Sequence, residues 1–369
     1  PVDGVGLARI EFILSAEVGI HPLALVHHEA LMKYHETGEM DEALEPFQTH
    51  LESQSEEDMM EMLAQIEQMS GPHKDARHLF IDSLKEGVGL ICAAFHPRPV
   101  LVRLSDFKSN EYRELVGGSI FEPIEENPMI AWRGASRYVD PMFAPAFEME
   151  CEALRGVAHE FGLDNLQLMV PFCRSPEEGA AVKELLAENR LGKADGVPLF
   201  IMVELPSNVI LAEQFIDAMD LDGGSIGTND LVQYTVAVDR VNPRVAKLYR
   251  SAHPGIVRLI KMVIDGASQH NIWTGVCGEM ASDLILLPLL VGLGVDELSV
   301  GAPLAPLVKQ AVRLLDFEKC STLADQCLQA VETKQIVQLC SNVATAAYPE
   351  LIQEGSGGSS APSFAVHPA

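Results

Sequence analysis

LFIMVELPSNVILAEQFIDAMDLDGGSIGTND, residues 199–230, runs through one complete strand–helix–strand passage. LFIMVEL (199–205) is an unbroken apolar run, the pattern of a parallel strand covered on both faces. Leu211, Phe215 and Met219 recur at every fourth position, the stripe of an amphipathic helix. GGSIGTND (223–230) then reads as the next strand. The same alternation extends in both directions. Further candidate strands are GVGLARIEF (4–12), PVLVRL (99–104), MIAWRG (129–134), LQLMVPF (166–172), IWTGVCG (272–278) and DELSVG (296–301), which brings the total to eight. Ser175-Pro176-Glu177-Glu178 has the form of a capping box with proline in the first turn, opening a helix with Val182, Leu185 and Leu186 on its apolar side.

Eight strands with mostly helical connections predict an α/β fold, a (β/α)8 TIM barrel with a helical insertion after the first strand. An open doubly wound sheet is the alternative. The first strand and its entry occupy 1–25. Residues 26–95, rich in Glu, Gln, Met, Leu and His, read as the helical insertion, and 96–316 as the rest of the barrel. C-terminal helices are expected over 317–352, and a disordered Gly/Ser/Pro-rich tail over 353–369. At 369 residues the chain exceeds the roughly 250 of a minimal barrel. It begins with Pro rather than Met, as a piece of a longer protein would.

The charge balance excludes some partners. Lys and Arg number 26 against 53 Asp and Glu, a net −27, so the long-range field repels nucleic acid and anionic membranes. The longest apolar run, Leu284–Val295, is interrupted by Pro288 and is too short to span a bilayer. No secretory signal is visible, and seven cysteines without a CxxC pair fit a reducing cytoplasm. Dinucleotide and Walker A loops are lacking: GVGLAR does not have the fingerprint spacing. His27, His28 and His35 share a helical face without an accompanying acidic metal motif. The methionines of 59–69 read as helix packing, and the glutamates of 36–67 as a solvated face.

Chemistry in a parallel barrel gathers at the C-terminal ends of the strands. Here those ends carry Arg9, Arg103, Arg133, Pro171-Phe172, Glu204, Asn229-Asp230, Cys277 and Ser299. Singly, each has a plain structural reading: an arginine forms a salt bridge, a carboxylate caps a helix, a cysteine fills a core. Together, three forked guanidiniums suit a small multiply anionic substrate. Glu204 and Asp230 can supply the one or two carboxylates of a Mg²⁺ site. Cys277 can serve as an acid or base at carbon.

GVGLARIEF, VLVRLSDFKSNEY, GGSIFEPIEENPMIAWRGASRY, VPFCRSPEEG, FIMVELPSNVILAEQF, GGSIGTNDLVQYTVAVDR and GVCGEMASD resemble, in order, the C-terminal phosphoenolpyruvate/pyruvate-binding barrel of the phosphoenolpyruvate-utilising enzymes. The likeness covers 4 to about 316 and is weakest over 30–90. DFKSNEY and EENPMIAWRGASRY favour the synthase (pyruvate, water dikinase) branch over the enzyme I branch. The resemblance implies that Arg9 and Arg103 hold the substrate phosphate or carboxylate and that Arg133 assists the transferring phosphoryl group. It implies that Glu204 and Asp230 ligate Mg²⁺, that Gly227, Thr228 and Asn229 line the substrate, and that Arg240 binds it. Cys277 would exchange the proton at C3. Met280 departs from the small residue expected after that cysteine.

In such enzymes an ATP-binding domain and a swivelling phosphohistidine domain complete the reaction of ATP, pyruvate and water to AMP, phosphoenolpyruvate and phosphate. Neither is in this sequence, so the chain is expected to bind pyruvate or phosphoenolpyruvate but to lack the nucleotide half-reaction. The resemblance also implies a homodimer. Two other readings stay open: an enzyme I-like or pyruvate, phosphate dikinase-like barrel, and a non-catalytic dimerisation or ligand-sensing module.

Overall fold

The computed structural model describes residues 2–356, with side chains to 352. Among the described residues, seven strands follow one another in chain order: β1 (Val5–Arg9), β2 (Val100–Arg103), β3 (Leu166–Val170), β4 (Leu199–Val203), β5 (Gly223–Gly227), β6 (Trp273–Cys277) and β7 (Glu297–Leu298). Helical segments lie between them, which is the α/β barrel class of fold. The expected strand at 129–134 is not one. Pro128–Ile130 forms a single 3-10 turn and Trp132–Gly134 is irregular. Pro128 lacks the amide that a ladder needs, and Gly134 has φ +62°, so MIAWRG satisfies the apolar pattern without the backbone of a strand. The expected tail at 353–369 falls, from 357 on, outside the described residues.

The chain divides into two compact units. One comprises 8–173 and 177–199. Within it β2 runs parallel to β3, Val100 opposite Leu166 and Arg103 opposite Met169. The 26–95 stretch of this unit is helical. Its longest helix, Ala76–Phe95, starts where the Asp75 carboxylate accepts from the His78 amide, and it buries Leu79, Phe80, Leu84, Val88 and Cys92. Glu56–Ser70, capped by Ser55, buries Met59, Met62, Leu63 and Ile66 on one face and leaves its glutamates outward.

Among the described residues, the second unit comprises 2–7, 174–176 and 200–356. β4, β5, β6 and β7 are parallel here. Phe200 pairs with Gly223, Gly227 with Cys277, and Gly275 with Glu297. The helix Pro254–Gln269 is opened by proline at its first position and by the His253 ring, which accepts from the Gly255 amide. Among the described residues no helix is long and apolar enough to cross a membrane.

One contact in this unit depends on a missing side chain. The Leu287–Leu293 helix crosses Phe317–Gln329 so closely that a Cβ on Gly292 would lie 1.9 Å from the Cys320 carbonyl oxygen. Because that obstacle is backbone, Gly292→Ala should destabilise the protein by about 1–3 kcal/mol. Urea unfolding checks it, and an unchanged midpoint would show that the helices can move apart without cost.

Candidate active site

In the first unit, carboxylates organise two candidate arginines, Arg103 at the end of β2 and Arg133 in the irregular segment after the 3-10 turn. Arg133 is buried, and its Nε and Nη2 donate to the two oxygens of Asp106 at 2.9 and 2.6 Å. Its Nη1 donates to the Met129 carbonyl at 3.3 Å, and its guanidinium lies 4.1 Å from the centre of the Phe172 ring. Arg103, at the end of β2, donates from Nη2 to Glu11 at 2.7 Å and stands 3.3 Å from Asp106 through Nη1. Glu11 also accepts from the Asp106 amide at 2.7 Å, which fixes the turn carrying that aspartate. Burial pushes the Asp106 carboxyl up, but Arg133 and then Arg103 outweigh it and hold the group below its ordinary value. Gly134 packs against Pro171 and Phe172: a Cβ there would lie 2.5 Å from Phe172 Cβ, in a left-handed backbone that already favours glycine. Arg9, at the end of β1, is exposed and forms no ion pair with Glu11 or Asp106.

The second unit holds the other candidates. Glu204 follows β4 and is buried, and Asn208 Oδ1 accepts from the Glu204 and Leu205 amides at 3.2 and 2.9 Å, setting the backbone there. The Glu204 carboxylate rests on Gly227, where a Cβ would come within 3.1 Å of Oε2. β5 ends at Gly227, and Thr228 begins the Thr228–Val236 helix with Asp230 in its first turn. Thr228 Oγ1 donates to the Cys277 carbonyl at 2.8 Å, tying the ends of β5 and β6 together. Cys277 is buried, its thiol 3.5 Å from the Ile226 carbonyl. Gly278, at φ +97°, turns the chain away directly after it; a Cβ there would sit 2.6 Å from Thr228 Oγ1.

Asn229 Oδ1 faces the Glu279 amide at 3.4 Å and the Tyr249 hydroxyl at 3.5 Å. Arg240 reaches Glu279 at 3.8 Å. Met280, the departure noted in the sequence, is fully buried as ordinary core. The unit thus joins Glu204 to Gly227, Thr228 to Cys277, and Asn229 through Glu279 to Arg240. Two carboxylates, Glu204 and Asp230, are its strand-end oxygen donors, the hard ligands that suit a divalent cation completed by substrate and water.

The profile described as PEP-utilising enzyme, PEP-binding domain, matches residues 1–317. The chain belongs to the PEP-utilising enzyme family. A phosphoenolpyruvate synthase of Synechocystis is 42% identical over 322 residues, 86% of this chain and 36% of that protein. The phosphoenolpyruvate synthase of Aquifex aeolicus is 39% identical over 340 residues, again 86% of this chain and 39% of the relative. That of Aeropyrum pernix, at 36% over 320 residues, covers 33% of its length. The chain therefore spans little more than a third of the relatives it matches.

Within this PEP-binding domain, Glu11 and Asp106 are residues that strand-end reasoning passes over. The signal for Asp106 is indirect. A buried guanidinium demands counter-charge, and Asp106 lies three residues after Arg103; Glu11, which also pairs with Arg103, follows the exposed Arg9 and is marked by nothing comparable. Asn208 and Tyr249 carry no such signal, since both act through hydrogen bonds to the backbone or side chain of a candidate or its neighbour.

Proposed function

We propose that the chain is the phosphoenolpyruvate/pyruvate-binding catalytic domain of a phosphoenolpyruvate synthase, performing Mg²⁺-dependent phosphoryl transfer between a phosphohistidine on another domain and the enolate of pyruvate. The observation that carries this reading is the grouping at the ends of β4, β5 and β6: a buried carboxylate on a bare glycine, and a buried thiol held through its own carbonyl by Thr228. Glu204 and Asp230 would hold Mg²⁺, which when bound supplies positive charge to the developing enolate. Gly227, Thr228 and Asn229 line the substrate, and Arg240 holds one of its anionic groups.

In this reading Cys277 gives a proton to C3 of the enolate in one direction and removes it from the pyruvate methyl group in the other. Arg103 and Arg133 offer forked donors to the phosphoryl oxygens, with Arg9 as a further cation. Such transfers depend on positioning and charge more than on covalent help. The phosphoryl group passes from the enol oxygen to the histidine nitrogen, and back in the synthetic direction. The relatives' names support the synthase assignment.

Calorimetry with oxalate, pyruvate and phosphoenolpyruvate, each with and without Mg²⁺, tests the reading. Metal-dependent binding is expected, and Glu204→Gln should weaken it by about tenfold or more, roughly 1.4 kcal/mol. Binding of none of the three in the presence of metal would reject the function. Undiminished metal-dependent binding by Glu204→Gln would remove that residue from the site.

A further inference from the structure

We infer that Arg137, clamped by Glu122 and His21, is a positioning residue that sets Arg133 for its anion; this rests on the role proposed above for Arg133. The side chain of Arg137 is among the largest fully buried ones in the protein. Its two terminal nitrogens donate to both oxygens of Glu122 at 2.7 and 2.6 Å. Its Nε points the other way, to the carbonyl of Trp132 at 2.9 Å, and its plane lies 4.0 Å from the centre of the Trp132 ring. The residue directly before Arg133 is therefore gripped at both backbone and side chain.

That grip matters because the segment has no ladder to hold it. Trp132–Gly134 is irregular, so the direction of Arg133 is set by side-chain bonds rather than by a strand. The far side of the clamp is equally well fixed. His21 Nδ1 accepts from the Leu23 amide, so the ring's proton sits on Nε2, which donates to Glu122 at 3.0 Å. Arg113 donates to the Glu122 backbone carbonyl at 3.0 Å. A guanidinium is needed at 137, because only its rigid fork can serve a carboxylate on one edge and a carbonyl on another. Lysine, a point charge on a flexible stem, cannot do both.

Two variants test this. Arg137→Lys keeps the charge opposite Glu122 and gives up the Trp132 carbonyl. The double variant Arg137→Met with Glu122→Gln removes both charges while leaving His21 an acceptor, so no lone buried charge threatens folding. In each, with Mg²⁺ present, affinity for phosphoenolpyruvate should fall by about tenfold or more, while affinity for oxalate, which has no phosphoryl group, stays within about twofold. Loss of both ligands to the same degree, or of neither in a cooperatively folding variant, would overturn the inference. A ligand-independent readout separates this inference from the proposed function. The Arg133 Nε proton, protected by Asp106, should exchange with solvent faster in both variants. If the parent binds neither ligand, the functional reading fails, and that exchange rate still decides the positioning claim: an unchanged rate rejects it.

Discussion

Cys277→Ala is expected to slow the exchange of pyruvate methyl protons with solvent by about a hundredfold or more, the usual scale of removing a positioned acid–base group. Proton magnetic resonance in D₂O with Mg²⁺ present measures it. Oxalate binding should survive, since oxalate carries no proton on carbon and Thr228 grips the Cys277 carbonyl rather than its side chain. Alanine is also a mild change for the packing: the thiol's contact with the Ile226 carbonyl at 3.5 Å is a weak one. Exchange at the parent rate would take the thiol out of the chemistry. Loss of both exchange and oxalate affinity would mark it as a core residue instead.

The second large effect is on stability. Asp106→Asn keeps the shape of the side chain but strips the counter-charge from Arg133 and Arg103, and breaking such a buried pairing costs about 3–5 kcal/mol at neutral pH. The pH dependence identifies the cause. The folded-state carboxyl is held below its ordinary 3.8, so its stabilising contribution is in full force above that value and is lost as pH falls through the depressed one. The gap between parent and variant should therefore be widest at pH 7 and narrow in strong acid, where the parent's Asp106 is itself neutral. Urea midpoints across that range measure it. A gap of constant size would mean that the loss comes from geometry and not from charge.

How much of this is legible in the sequence depends on the kind of interaction. β4 is the plainest of the strands because one covered on both faces is apolar throughout, as LFIMV at 199–203 is. MIAWRG mimics that pattern. Nothing in its composition reveals that Trp132 turns its carbonyl to Arg137 and Met129 its own to Arg133, bonds that replace a ladder. Polar residues closing apolar runs, such as Arg103, Glu204 and Cys277, are conspicuous for the same reason that the strands are. Glu11, Asp106 and Glu122 are not: an acidic chain has carboxylates everywhere, and only the folded geometry shows which ones meet a guanidinium.

If Arg133 takes the substrate's anion as proposed, its fork with Asp106 has a consequence for selectivity. An arginine already satisfied by the protein's own aspartate is not an open socket, so an incoming anion must displace a seated competitor, or share the cation with it. Association becomes an exchange, judged by the difference between two carboxylate- or phosphate-like partners. A weakly charged metabolite gains little from that trade, whereas a ligand bearing several negative oxygens gains enough to win. In the role proposed for Arg133, the internal acid would thus act as a threshold against singly charged ligands.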